Sequence, residues 1–417
     1  MSRSRPRAAG GRATGVAWGL AALLALGLHP VAASAAPRTE ARSVAVVDTA
    51  TGEVLLGRAS GERRSIASAT KLMTALLALD RARPGEVFTA GSYVAGPVES
   101  RIDLRAGERM QVRDLLRALL LESANDAAVT IAENVSGSRR RFVALMNRRA
   151  RELGLSGTRY ANPVGLDDPG NYSTARDLAV LSRELMRRPA FRRIVDLPEA
   201  TLCSGTRRRS IRNRNRLVAR VPWVDGVKTG HTSRAGYVLV GSGHRRGARV
   251  ISVVLGEPSE GARDRDTLRL LRWGLGRFAR VVPVRAGREL RRVPVEGHDD
   301  LRVAVGSTRT LALTVRRGRR PEVRVEAPSR LRGPLRRGAR VGGVRVMAGG
   351  REVARSALVT AVAVPEPPPA WGLLSGTAAP LTLLGSAAMV VVTMFVGLRI
   401  RAMRAGRHRR RRRRAVT

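Results

Sequence analysis

Apolar residues recur at helical spacing after Lys71. Leu72, Met73, Ala75, Leu76, Leu77 and Leu79 lie between the polar opening at Ser65 and the break at Pro84-Gly85. The spacing predicts a buried helix over Ser65 to Asp80, with Ser68 at or near its first turn. Upstream, Val44 to Val47, the turn Asp48-Thr49-Ala50-Thr51-Gly52 and Val54 to Leu56 read as strand, turn, strand. Leu115, Leu116, Leu119 and Leu120 predict a second buried helix over Val112 to Leu121, and Val129 to Ala132 begins a further apolar segment. Ser123 and Asn125 fall in the short connection between those two. Asn162 to Asn171 is turn-rich, and Tyr172 to Ala179 reads as a capped helix start. Val224 to Thr229, Tyr237 to Ser242 and Arg249 to Leu255 predict three strands, the last two joined through His244-Arg245-Arg246-Gly247. Their short connections favour antiparallel pairing. Leu268 to Phe278 reads as a closing helix.

Beyond Val281 the pattern changes to short Val-rich segments between Gly, Arg and Pro turns, which predicts a small β-rich domain over 281–364. A stiff Pro-rich linker follows over 365–377. Ala378 to Leu398 is uncharged and long enough to cross a bilayer, and ten arginines lie between Arg399 and Arg414. That charge predicts a cytoplasmic tail over 399–417, suited to anionic headgroups. At the other end, Arg3, Arg5, Arg7 and Arg12 precede the apolar run Val16 to Leu28 and the small residues Ala33-Ser34-Ala35. This is the order of a secretory signal over 1–35, and it leaves 36–280 as the main domain, outside the cell membrane.

The formal net charge of +44 admits nucleic acid, an anionic membrane or an anionic wall polymer as partners. Aromatic content of 3% and the lack of a nucleic-acid-binding signature argue against nucleic acid. Cys203 is the sole cysteine, so no intramolecular disulfide forms, and the five histidines are not at metal-ligand spacing. Among 77 lysines and arginines, lysine stands only at Lys71 and Lys228. Arginine cannot lose its proton in a protein, so it cannot replace a lysine that must act as a base. Ser68 and Lys71 are three apart and share a helical face. A hydroxyl needs a base to become a nucleophile, burial or a second cation lets a lysine serve as one, and N–H groups at a helix start favour an oxyanion.

Ser68-x-x-Lys71, Ser123-x-Asn125 and Lys228-Thr229-Gly230 stand in the order of the three motifs of penicillin-binding proteins and β-lactamases. With Ala67 to Thr74, Ser123 to Ala128, Asn162-Pro163-Val164-Gly165-Leu166, Tyr172 to Ala175, Asn213-Arg214-Asn215 and Asp225 to Gly230, the chain resembles the D-alanyl-D-alanine carboxypeptidases, the low-molecular-mass penicillin-binding proteins of peptidase family S11. The resemblance covers about Ala41 to Phe278 and, more loosely, the β-rich segment after it. Ala124 stands where that family usually has Gly, and Asn171 where it often has His.

The resemblance implies an α+β fold: an antiparallel sheet flanked by helices, with the site between sheet edge and helical region. It implies Ser68 as nucleophile, Lys71 as its base and Ser123, lying between Lys71 and Lys228, as the relay that passes the proton to the leaving amine. Asn125 would bind the substrate backbone, and Lys228 and Thr229 its terminal carboxylate. The N–H groups of Ser68 and His231 would form the oxyanion hole, with the His231 side chain structural or facing substrate, and the Lys228 cation would help to depress the Lys71 pKa. The substrate would be a peptidoglycan stem peptide ending in D-Ala-D-Ala, β-lactams would acylate the same serine, and neither cofactor nor metal is needed. Transpeptidase or endopeptidase action uses the same groups. A β-lactamase is a rival, but Asn162 to Asn171 offers only Asp167 and Asp168 where its class A form has a glutamate. A non-catalytic polycation binding wall or nucleic acid leaves both lysine positions unexplained.

Overall fold

The computed structural model describes residues 35–368 and 389–401. Its central element is a five-stranded antiparallel sheet, in the order Val54–Arg58, Ser43–Asp48, Ala248–Glu257, Gly236–Arg245, Val224–Thr232. The N-terminal hairpin thus closes on the C-terminal strands, with Val46 opposite Ser252. Every residue of Ser43–Asp48 is buried. Alternation sends Ala45 and Val47 to one hydrophobic core and Val44 and Val46 to another, which explains an apolar run without a polar face.

The helix Glu260–Gly276 covers the second of these faces, with Leu270 and Leu271 in its core. Gly274 allows the close approach, since a Cβ there would lie 3.0 Å from Val46 Cγ1. The larger core holds Lys71–Arg81, Asn125–Ser136 and Ala175–Met186. Leu72 and Leu76 are fully buried in it, and each such side chain contributes about 1.5–3 kcal/mol by leaving water. Thr174 caps the last of these helices, its Oγ1 accepting from Asp177 N at 3.0 Å.

The predicted strands and the closing helix are all present, the helix starting earlier, at Glu260. The helix expected over Val112 to Leu121 is α-helical only at Val112–Arg117, then widens into a π-turn at Ala118–Glu122. Asn125 opens the next helix rather than lying in the connection. The helices Arg139–Glu152 and Pro189–Val195 and the short strand pairs Val87–Thr89 with Arg109–Gln111 and Glu199–Leu202 with Arg209–Arg212 are not among the elements expected from the sequence, although Phe142, Leu145, Met146 and Ala150 recur at helical spacing in the first.

After Glu260–Gly276 the described chain to residue 368 is β-rich. Phe278–Val284 pairs with Leu311–Arg316. A second five-stranded sheet runs Glu289–Val295, His298–Ser307, Arg351–Thr360, Arg340–Ala348, Glu322–Glu326. It has its own apolar clusters, around Val303 and Val305 and around Val344 and Val346. The segments 1–34, 369–388 and 402–417 lie outside the described residues, and with them nearly all of the expected signal, much of the linker and spanning segment, and most of the Arg-rich tail. Residues 389–401 are helical with exposed side chains, and no described helix is long and apolar enough to cross a membrane.

Candidate active site

Where periodicity predicts one continuous helix, the chain tightens into a 3-10 turn, Ala67–Thr70, that runs straight into Lys71–Arg81. Ser68 lies in this turn, and Lys71 is the first residue of the α-helix. Two glycines let neighbouring segments close on the turn. Gly165 has φ +92°, and a Cβ there would lie 2.0 Å from the Ala67 carbonyl oxygen. A Cβ on Gly230 would lie 3.0 Å from Ser68 N, so the Lys228-Thr229-Gly230 strand runs directly against the nucleophile's backbone. That strand, Val224–Thr232, is the edge of the central sheet, so part of its backbone is left unpaired by the ladder.

Lys71 is fully buried. Its Nζ lies 3.1 Å from Ser68 Oγ, 2.5 Å from Asn125 Oδ1 and 2.6 Å from the Val164 carbonyl. Burial is the main cause that pushes its pKa down to about 7, against the opposing carboxylates Glu99 and Asp126. Arg214 is a cation that adds to this lowering. The coupling is visible at the other lysine. Burial, then the Lys71 charge, hold Lys228 well below the ordinary lysine range. Lys228 Nζ donates to the Thr229 carbonyl at 2.8 Å.

Asn125 spends both side-chain atoms on the site. Its Oδ1 receives Lys71, and its Nδ2 donates to Glu99 Oε2 at 2.5 Å. Glu99 also accepts from the Tyr93 hydroxyl. Burial disfavours the Glu99 charge, but hydrogen bonds from Tyr93 and Asn125 outweigh it and hold the carboxyl below its usual range. Ser123 is buried at a left-handed corner, φ 66°, between the π-turn and the helix that Asn125 opens. Among the described residues its hydroxyl makes no hydrogen bond to either lysine, so the expected relay is not closed in this state. Thr229 is buried beside Lys228. His231 is exposed and stacks on Tyr237 with ring centroids 4.1 Å apart.

Several supporting groups escape a reading of the sequence. Glu99 and Tyr93 lie in a stretch with no hydrophobic period, and only the fold carries them to Asn125. The Asn162-Pro163-Val164-Gly165-Leu166 motif acts largely through its backbone. Asn162 Oδ1 accepts from Gly165 N at 2.7 Å, and the shaped loop presents Pro163 O to Thr74 Oγ1 at 2.7 Å and Val164 O to Lys71. Asn171, at the position where the family often has His, donates from Nδ2 to Thr70 Oγ1 at 3.1 Å and so ties its loop to the Ser68 turn. A cavity of about 710 Å³ opens at the far end of the edge strand, past His231.

An accessible serine held beside a buried, proton-poor lysine, between a sheet edge and a helical layer, defines a class: serine enzymes that transfer acyl groups through the side-chain oxygen. A family model described as D-alanyl-D-alanine carboxypeptidase matches residues 30–259. The chain is 33% identical to the D-alanyl-D-alanine carboxypeptidase DacA of Escherichia coli K12, over 79% of this chain and 85% of that protein. It is 36% identical to the D-alanyl-D-alanine carboxypeptidase DacF of Bacillus subtilis, over 57% of this chain and 63% of the relative. Penicillin binding protein 5 from Haemophilus influenzae superposes with a TM-score of 0.57 at 31% identity, covering 80% of this chain and 99% of that one. The chain belongs to the D-alanyl-D-alanine carboxypeptidase family.

Proposed function

We propose that this protein is a serine-type D-Ala-D-Ala carboxypeptidase that removes the terminal D-alanine from peptidoglycan stem pentapeptides. The observation that carries the reading is the environment of Lys71. A neutral lysine has two N–H groups and one lone pair. Asn125 Oδ1 and the Val164 carbonyl accept the two N–H groups, which leaves the lone pair for the Ser68 hydroxyl at 3.1 Å. With its pKa lowered to about 7, a large share of Lys71 is unprotonated at neutral pH and can take the serine proton.

Ser68 Oγ then attacks the carbonyl between the two D-alanines. The oxyanion forms against the backbone N–H groups of Ser68 and His231, where one donor is worth roughly a hundredfold or more in rate. Collapse breaks the C–N bond, and the proton returns to the departing amine through Lys71 and Ser123. Substrate binding closes the relay that is open in the free enzyme. Water hydrolyses the ester and restores Ser68. Lys228, which burial and the Lys71 charge hold well below the ordinary lysine range, is drawn to its charged form as the terminal carboxylate arrives, because an anion beside a buried amine favours that form. Thr229 adds a hydroxyl to that grip. Asn125 holds Lys71 in place and meets the substrate backbone on the same face. β-Lactams acylate the same serine.

Residues 36–280 form the catalytic domain and 281–364 an accessory β-rich domain. The segment 1–35 directs export, 378–398 anchors the chain in the cell membrane behind the 365–377 linker, and 399–417 lies on the cytoplasmic side against anionic lipid. The charge pattern around the two apolar runs supports this arrangement.

Incubation of the purified protein with a pentapeptide stem, read by mass spectrometry, tests the reaction. Loss of one alanine per peptide is expected. Exchange of that alanine for an added amino acceptor without hydrolysis would replace the reading with transpeptidation, and an intact peptide would refute both.

A further inference from the structure

The cavity beyond His231 is separate from the Ser68–Lys71–Asn125 cluster, and the reacting groups do not occupy it. It measures about 710 Å³, and Arg42, Arg63 and Arg234 line it together with His231, Tyr172 and Glu257. Among the described residues no carboxylate forms an ion pair with the side chains of Arg42, Arg63 or Arg234 within 4 Å, although ion pairs elsewhere are numerous. The Asp167 carboxylate at this edge is taken up by the Arg234 backbone N–H at 3.3 Å and the Thr232 hydroxyl at 2.7 Å. Arg63 lies over the Tyr172 ring at 5.2 Å, which fixes its head group at the rim. A fourth arginine of the lining, Arg64, is already neutralised by Glu62 at 2.7 Å. Glu40 is exposed and engages Arg265. Glu257 is buried, and burial, then Asp266 and Glu40, raise its pKa to about 7, so it contributes less than a full negative charge.

The direction of the edge strand says what this cavity faces. Lys228 and Thr229 receive the substrate's terminal carboxylate on the carboxypeptidase reading, and Gly230 lies against Ser68 N, where the scissile carbonyl must sit. A peptide laid along the strand therefore passes His231 and Thr232 with its acyl side and enters the cavity. Each extended residue advances it by about 3.3 Å, so the residues immediately upstream of the two terminal ones reach the arginines.

We propose that this cavity is an acyl-side subsite selective for an acidic peptide, in which Arg42, Arg63 and Arg234 receive carboxylates carried upstream of the scissile bond. The inference rests on the carboxypeptidase reading and adds to it a specificity that the reacting groups do not provide. Charges at a rim act mainly on selectivity and encounter, and salt screens them.

Two pentapeptides ending in D-Ala-D-Ala, one with upstream carboxylates and one with the same residues amidated, test the proposal by kcat/KM for alanine release. The acidic peptide is expected to be better by roughly three- to tenfold at low ionic strength, with the advantage shrinking in about 0.5 M salt. Arg63→Gln combined with Arg234→Gln is expected to bring the ratio close to one, and Arg63→Lys with Arg234→Lys to retain most of it. Equal rates for the two peptides on the unmodified enzyme, or a preference that survives the glutamine substitutions, would overturn the subsite while leaving the carboxypeptidase reading in place. Release from neither peptide would overturn both.

Discussion

Lys71 and Ser68 carry the most specific expectations because their roles depend on single atoms. Ser68→Ala removes the one hydroxyl that meets Lys71 Nζ among the described residues, so covalent labelling by penicillin is expected to vanish while the thermal unfolding profile is kept. A persisting adduct would move the nucleophile elsewhere. Lys71→Arg keeps a cation of similar reach but cannot give up its proton. Loss of general-base help is worth roughly 10²–10⁴-fold in acylation rate, and stopped-flow labelling reads it directly. A near-normal rate would remove lysine from the base role. Among single residues the sequence is already explicit. The survival of two lysines among so many arginines marks both positions, and the structure finds both fully buried. It adds a cation that the sequence does not point to, because Arg214 also lowers Lys71. Such an effect depends on distances that no spacing rule contains.

The elements that matter are three short ones pressed together: the 3-10 turn, the edge strand and the Asn162–Leu166 loop. Their contact is backbone on backbone, and two glycines permit it. Gly165→Ala combines a positive φ with a Cβ only 2.0 Å from the Ala67 oxygen, so the loop must withdraw. A loss of roughly 2 kcal/mol or more in stability is expected. A larger fractional loss in acylation rate should accompany it, because the Val164 carbonyl leaves Lys71 together with the loop. An acylation rate equal to that of the unmodified enzyme would show that the loop does not position the base. The strands and the buried helix of this region are legible from period and turn chemistry alone. The π-turn and the 3-10 turn are not. Both are small changes of winding at the two places where a reactive side chain must be aimed, and hydrophobic spacing has no sensitivity to a change of that size.

Stability against pH reports on the whole molecule, since two buried titrating groups pull in opposite directions. Glu257 is raised from 4.5 to about 7. Between those values the folded chain holds a proton that the unfolded chain has released, so its contribution is complete below 4.5 and is lost as pH rises through 7. Lys71 is lowered from 10.5 to about 7. Between those values the unfolded chain holds the extra proton, so stability rises again toward 10.5, and Lys228 adds to the same limb. A shallow minimum near pH 7 is expected in denaturant unfolding, with a recovery of about 1 kcal/mol or more by about pH 9. Glu257→Gln is expected to flatten the acid side of the minimum. A monotonic fall in stability from mildly acidic to mildly alkaline pH would show that the lowered lysine pKa values do not operate in the folded chain, and a flat profile below pH 7 would remove the Glu257 shift.

Read one residue after another, the chain already declares the kind of chemistry and the order of its main parts. A serine three before one of two lysines, a Ser-x-Asn and a Lys-Thr-Gly are local facts, and each marks its place wherever the chain folds. The alternation of apolar residues is equally local, so the sheet strands are readable without coordinates. Folding was needed to reveal that Asn125 and the Val164 carbonyl take the two N–H groups of Lys71, that Glu99 steadies Asn125, and that arginines from separate segments line one cavity past His231. Those relations join residues far apart in the chain, and burial and electrostatic coupling act through space, which linear order does not encode.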